Sequence, residues 1–365
     1  MTTFRFNFLL IFIFLVLGSD TFAQSIREYS NKYSNEFLSI GVGARAFGMA
    51  NSVVASSEDV SAGYWNPAGL VDQKDKLQLS FMHSNLYNSV ANYDYLALST
   101  KVKDNAALSF SMIRLGVDGI PNTTDLIRNG QINYDRVTSF SAVDYSFMVS
   151  YAQRALNDRL SFGGSAKIIR RTGGDFASAW GFGVDASARY KTENNWMFGL
   201  MARDITTTFT AWQVQFTEAE EQTLINTGNE IPVNSIEITL PKFLLGAAKK
   251  IDFTEDFSLL TEVNGAISTD GRRNTLIKTD VISIDPSIGV EAGYKEIIFL
   301  RGGVGSFQKV LDLDFVNQWT FQPNIGIGLK LKKVTLDYAL TDIGDQSAAQ
   351  YSHVFSIRAA INPEK

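Results

Sequence analysis

The chain has 365 residues, with 33 Lys and Arg against 38 Asp and Glu for a net charge of −5, two His and no Cys. Without cysteine there are no disulfides, no thiolate metal sites and no lipidation at a lipobox cysteine, and a mildly acidic chain lacks the clustered basic surface that nucleic acid requires. Hydrophobic residues make up 45% and charged residues 19%, an average typical of a soluble protein that conceals where the apolar residues fall.

Taken in order, the chain opens with Arg5 ahead of an apolar run from Phe8 to Leu17, then Gly18, Ser19 and Thr21-Phe22-Ala23. This pattern predicts a secretory signal peptide over 1–23. The run is short for a transmembrane helix, and no later stretch approaches the roughly 18 uninterrupted apolar residues that a helical span needs. Residues 24–76 form a second region. Its part from Ser39 to Leu70 is rich in small residues and alternates too weakly to span a membrane.

From Leu77 to about Ile361 the chain keeps a different metre, with segments of about ten residues that are apolar at every second position. In Trp180 to Lys191, the residues Trp180, Phe182, Val184, Ala186, Ala188 and Tyr190 alternate with Gly181, Gly183, Asp185, Ser187, Arg189 and Lys191. Phe321 to Lys332 repeats the pattern, with Ile325, Ile327, Leu329 and Leu331 on one side. A period of two is a strand signal, and a tilted strand of about 9–11 residues crosses a bilayer's hydrocarbon core. Fourteen strands are predicted, beginning near residues 77, 92, 106, 142, 160, 181, 195, 242, 256, 286, 297, 321, 334 and 353. Tight polar connections such as Lys103-Asp104-Asn105, Glu193-Asn194 and Lys332-Lys333 alternate with long ones such as 116–141, 204–241, 266–285, 306–320 and 342–352. Short periplasmic turns facing long extracellular loops, with an even strand count, are the asymmetry of a bacterial outer-membrane barrel. The predicted fold is all-β: an antiparallel transmembrane barrel over 77–361, with its apolar face against outer-membrane lipid.

A barrel of fourteen strands encloses more space than its inward side chains fill, since about eight strands is where they just suffice. Residues up to about Leu70 are therefore expected to fold inward as a plug. Gly41, Gly43, Arg45, Asp59, Trp65, Asn66, Pro67 and Gly69 are its expected structural residues. Asn66-Pro67 should set a capped turn. Arg45, Glu58 and Asp59 should pair with lumen charges such as Asp185, Arg189 or Lys330, because an unpaired buried charge is costly. Lumen-facing Gly181, Gly183, Gly326 and Gly328 leave room for a backbone to approach the wall.

Ala50-Asn51, Glu58-Asp59 and Asn66-Pro67-Ala68-Gly69-Leu70 resemble the N-terminal hatch of the FadL-type fatty-acid transporter superfamily. Gly41 to Arg45, Tyr64 to Leu70, Ala179 to Gly183 and Asp204 to Phe209 are most similar to its PorV/PorQ branch. That branch consists of outer-membrane proteins associated with type IX secretion in Bacteroidetes-type bacteria. The resemblance implies fourteen strands, a hatch and a non-enzymatic role in protein transport and gliding motility, with secreted cargo C-terminal signal domains and a translocon or attachment-complex membrane protein as partners. A second implication is uptake of hydrophobic small molecules through the lumen, with Phe47, Met49, Trp65 and Leu70 lining a pocket.

Residues suited to catalysis are scarce. His83 and His353 fall at the ends of strands that meet where the barrel closes, and are read as polar rim residues. A metal pair, or a lipid hydrolase with Ser84 or Ser352 as nucleophile, is the weaker alternative. Gly41 to Gly48 precedes no βαβ unit and fails as a nucleotide fingerprint. Asp312 and Asp314 lack the spacing of a calcium loop. No cofactor or metal is expected. In the 204–241 loop, Thr217 with Glu220 is a capping box that predicts a short acidic helix. Phe209, Trp212 and Phe216, with Trp319 in another loop, are either interfacial anchors or a docking surface for partners.

Overall fold

The structure is a computed structural model that describes residues 33–86, 89–128, 131–155, 158–311, 316–341 and 352–363. The predicted signal peptide and the Asp312/Asp314 pair lie outside the described residues. No helix among the described residues is long and apolar enough to cross a membrane.

In chain order the strands are β1 (Asp75–Leu86), β2 (Ala91–Lys103), β3 (Ala106–Asn122), β4 (Ile127–Arg128), β5 (Gln131–Ile132), β6 (Thr138–Arg154), β7 (Leu160–Gly173), β8 (Ala177–Lys191), β9 (Trp196–Arg203) and β10 (Thr208–Val214). Then follow β11 (Ser235–Thr239), β12 (Lys242–Asp252), β13 (Phe257–Ser268), β14 (Ile277–Lys278), β15 (Ser283–Tyr294), β16 (Ile298–Leu311), β17 (Asn317–Leu331), β18 (Val334–Thr341) and β19 (Ser352–Pro363). Antiparallel pairing runs from neighbour to neighbour and closes where β1 meets β19, with Leu77 opposite Ile361 and Phe81 opposite Ile357. Fourteen of these strands make a closed wall, with β10–β11 extending it and β4–β5 a separate hairpin. All fourteen predicted strands are present. Several start three or four residues earlier than predicted, as β8 does at Ala177 and β17 at Asn317. Ladder pairing continues beyond the point where alternation in the sequence weakens, because backbone hydrogen bonds do not depend on the apolar pattern.

Burial follows the alternation. On β8, Trp180, Phe182 and Tyr190 are exposed on the outer wall, while Asp185, Ser187 and Arg189 are buried inside. On β17, Phe321, Ile325, Ile327 and Leu329 face out, and Asn324 faces in. The exposed apolar band is the surface a lipid-embedded barrel presents.

The wall has one marked irregularity. β8 pairs with β9 over Ala186–Lys191 and with β10 over Ala177–Phe182, so β9 and β10 are one bent strand interrupted at 204–207. β11 and β12 continue each other in the same way across Leu240-Pro241. Asp204 and Thr207 have φ of 54° and 61°, a left-handed conformation that needs local support. Asp204 supplies it: its amide donates to Asp185 Oδ1 at 2.8 Å, and its carboxylate meets Lys167 Nζ at 2.7 Å. The predicted single loop at 204–241 is therefore a strand hairpin carrying a short helix at its tip, Glu218–Asn226.

Candidate functional site

Residues 33–73 form a compact segment of short turns: helix α1 (Ala44–Gly48), helix α2 (Ala62–Trp65) and 3-10 turns at Glu36–Leu38 and Pro67–Asp72. Gly41 and Gly43 adopt φ of 110° and 85°, which only glycine takes without strain. Val42, Ala44, Met49, Val54, Tyr64 and Trp65 are all buried, and they share one apolar cluster with wall residues Met82, Tyr93, Ile113, Ile169 and Leu244. Polar side chains satisfy what this packing removes from water. Trp65 Nε1 donates to the Val42 carbonyl at 2.9 Å, and Tyr64 Oη donates to the Leu38 carbonyl at 2.6 Å.

Inward-facing wall charges hold the segment. Arg189, 1% exposed, donates from Nη2 to Glu58 at 2.6 Å and from Nε to the Ala55 carbonyl at 2.6 Å, and also pairs with Asp72. Glu262, fully buried, accepts from the amides of Ala55 and Ser56 at 2.7 and 3.1 Å. Arg45 bridges to Glu291 at 2.9 Å, and Glu291 also takes Arg301 at 2.6 Å. Arg358 pairs with Asp59. Arg203 donates to the Leu38 carbonyl at 3.0 Å while its guanidinium lies 4.2 Å from the Tyr64 ring. Burial alone would raise the Glu58 carboxyl, but the charges of Arg189 and Lys191 prevail and hold it at about 2.

Of the predicted pairings, Glu58 with Arg189 is present. Arg45 and Asp59 find Glu291 and Arg358, while Asp185 pairs with Lys167 and Lys330 with Glu296. Asn66 does not cap the turn that follows. Its amide donates instead to the carbonyls of Val54 and Ala188 at 3.0 and 3.3 Å, while Pro67 starts the 3-10 turn. Gly69 is needed for space, since a Cβ there would lie 2.1 Å from the Ser57 carbonyl oxygen. Gly326 receives the segment, with a Gly48 Cβ only 3.0 Å from its Cα. Gly181 and Gly183 instead face Thr210, Thr208 and Lys167, and Gly328 lies against Arg301 and Asp337. The glycines that do admit the backbone include Gly163 beside Pro67 and Ala68, Gly199 beside Val54 and Gly303 beside Met49. Strands β7, β9 and β16 carry these glycines, whereas β1, β2, β6, β18 and β19 have none.

On the long-loop side of this segment lies a cavity of about 320 Å³. Its lining combines apolar residues, among them Ile40, Phe47, Trp65 and Leu244, with polar ones, among them Asn51, Arg203, Lys242, Asn264 and Asp285. Of the four residues expected to line a pocket, Phe47 and Trp65 do so. Met49 is enclosed in the apolar cluster, and Leu70 packs against Ala107 and Ala152. A second cavity, of about 40 Å³, lies at the strand break between Lys167, Arg203, Asp204 and Pro241.

The outer residues separate into two kinds. Thr217 and Glu220 form the predicted capping box on α3 (Glu218–Asn226), none of whose residues is buried. Trp212 is held by its Nε1 donating to Glu237 at 2.9 Å and by Arg171 lying 5.0 Å from its ring, and Phe216 stacks on Phe176 at 5.6 Å. Phe209 and Trp319 are exposed on the outer wall, the second beneath Lys309. Asp270, in the 269–282 loop, is held below its usual pKa: burial would raise it, but the hydrogen bond and charge of Arg273 outweigh that.

The histidines do not build a hydrolase. His83 faces outward with Nδ1 2.7 Å from Asp94, whereas Ser84 is fully buried on the opposite face. His353 is likewise exposed and bonded to Tyr338 at 2.8 Å, with Ser352 buried. Alternation places each serine and its neighbouring histidine on opposite sides of the wall. Among the described residues no group of three His, Asp or Glu side chains is arranged to hold a metal.

No family model matches the sequence, and no curated protein matches it. Solved structures do match. The toluene transporter TodX of Pseudomonas putida superposes with a TM-score of 0.57 at 15% identity, over 88% of this chain and 98% of that one. The toluene transporter TbuX of Ralstonia pickettii gives 0.54 at 13%, over 88% and 98%. A FadL homologue of Pseudomonas aeruginosa gives 0.54 at 13%, also over 88% and 98%. The chain shares the barrel fold of these structures.

Proposed function

We propose that this chain is an outer-membrane channel that admits a small molecule from outside into the lumen, with residues 36–72 acting as a hatch beneath the bound solute. The observation that carries this reading is the 320 Å³ cavity between that segment and the long-loop rim. A dry cavity of about 150 Å³ already accommodates benzene, so a substituted monoaromatic solute is within its size range. The toluene carried by TodX and TbuX belongs to that size class. Ala266 lines the cavity, so Ala266→Trp should fill it. Cells bearing the protein in their outer membrane should take up labelled monoaromatic solutes faster than cells without it, and Ala266→Trp should abolish the difference. Equal uptake by all three strains would sink this reading.

The finer reading suggested by sequence resemblance is a PorV/PorQ-type component of type IX secretion in a Bacteroidetes-type outer membrane. Its support in the fold is α3, an acidic helix standing free of the wall and available to a partner. Removing residues 217–229 should then eliminate cargo signal domains or a large membrane protein from material co-purified from the native outer membrane. Recovery of neither partner by the intact chain would remove this reading without affecting the channel.

A further inference from the structure

The outer wall is not the same all the way round. On five neighbouring strands the outward apolar run ends and the next outward residue towards the long loops is polar. Phe81 gives way to His83 on β1, Leu96 to Asp94 on β2, Met112 to Arg114 on β3, Phe147 to Tyr145 on β6 and Ile168 to Arg170 on β7. Strand register sets these five polar residues directly opposite one another, and Trp180 of β8 continues the row opposite Arg170. Counted from the short turns, the five are the ninth to eleventh residues of their strands. A tilted strand of about 9–11 residues crosses the hydrocarbon core, so the row stands at the outer-leaflet boundary. β15 and β17 differ, since their ninth residues from the short turns are Pro286 and Pro323, and β17 stays apolar on its outward side through Phe321 and Trp319.

The charges of this row are unevenly matched. Asp94 takes His83 Nδ1 at 2.7 Å and Arg114 at 3.4 Å, and Asp118, beyond the row, is exposed. Arg170 has no carboxylate partner among the described residues. Its guanidinium lies 4.9 Å from the Trp180 ring and makes one long hydrogen bond, to the Ala179 carbonyl at 3.4 Å. A guanidinium offers five donors in a planar fork that matches phosphate oxygens, and Trp and Tyr sit where acyl chains meet headgroups. We infer that this arc of the wall binds the phosphorylated headgroup of an outer-leaflet lipid. Arg170 and Arg114 take the phosphate oxygens, Tyr145 and Trp180 mark the junction, and the acyl chains run along Phe147, Ile168 and Phe182, which are exposed on the same face. This site lies outside the wall and is independent of what the lumen carries.

The test is native mass spectrometry of the full-length protein in detergent, with diphosphoryl lipid A and the same lipid stripped of its phosphates as probes. The phosphorylated form should bind at least about tenfold more tightly, the gain expected of two guanidinium–phosphate contacts at a membrane surface. Arg114→Gln combined with Arg170→Gln should remove that preference while the far-UV circular dichroism stays the same, because both side chains stand outside the wall. Lys332→Gln, an exposed charge in a short turn, should leave the preference within about twofold. Millimolar inorganic phosphate should not displace the bound lipid, since it cannot use the apolar strip below the row. Equal binding of the two lipids by the unaltered protein would overturn the inference without recourse to any variant. An equal loss in Lys332→Gln would overturn it by showing attraction to charge in general, and displacement by inorganic phosphate would make the site one for the free anion.

Discussion

The two ends of the lumen are lined by the same rows of inward-facing residues, yet they are finished differently. Towards the short turns, Arg189, Glu58 and Asp72 meet one another, Arg154 reaches Asp72 at 2.5 Å, and glycines let the backbone of residues 67–69 lie against the wall. Towards the long loops, a cavity of about 320 Å³ stays open. Packing is tight and charges are paired where the segment is held, and space remains towards the long loops.

The largest disturbance of the held end should come from Arg189→Met. It leaves Glu58 with only Lys191, at 2.6 Å, and Asp72 with Lys191 at 3.4 Å and Arg154 at 2.5 Å. Breaking a buried ion pair from one side costs about 3–5 kcal/mol, and Lys191 should keep the loss near the lower figure. Denaturant unfolding in detergent would measure it, and an unchanged midpoint would mean that the ionic ties do not hold the segment. Gly163→Ala should follow, because its Cβ would lie 2.4 Å from the Ala68 amide nitrogen, whereas a Cβ at Gly302 meets nothing within 4 Å. Overpacking of this kind costs about 1–3 kcal/mol. Gly302→Ala is the matched control, and equal midpoints for the two variants would show that close approach is not what Gly163 provides.

A smaller effect is expected from acid. The Glu58 carboxyl is lowered from 4.5 to about 2, so its contribution is whole above 4.5 and is lost as pH falls through about 2. The stability gap between wild type and Glu58→Gln should be constant at neutral pH and close progressively below 4.5. A gap that persists at pH 2 would mean that the ionic contact is not its source. The smallest change belongs outside the lumen. Thr217→Ala removes the capping box and should loosen α3 by about 1 kcal/mol, seen as faster amide exchange across 218–226, while the barrel's midpoint stays the same.

Much of the wall was legible because a strand in lipid declares itself by period two: Trp180 to Lys191 alternates in burial as it does in composition. The capping box at Thr217 was legible because both partners lie within one turn. The Glu58–Arg189 pair was legible only as one possibility among several inward charges. That Arg45 meets Glu291, 246 residues away, depends on which strands face each other across the lumen, and no local pattern carries that information. Asn66 looked like a cap because asparagine commonly caps turns, but the nearby Val54 and Ala188 carbonyls took its amide. Likewise the break at 204–207, which turned a predicted loop into a wall hairpin, depends on Lys167 and Asp185 from two neighbouring strands. By itself, the sequence determined the class of fold, the number of strands and the side of the wall each residue faces, because those follow from alternation and turn chemistry. Tertiary structure alone decided which charges pair and where the backbone comes close to a glycine, because these depend on the closure that brings distant strands around one enclosed space.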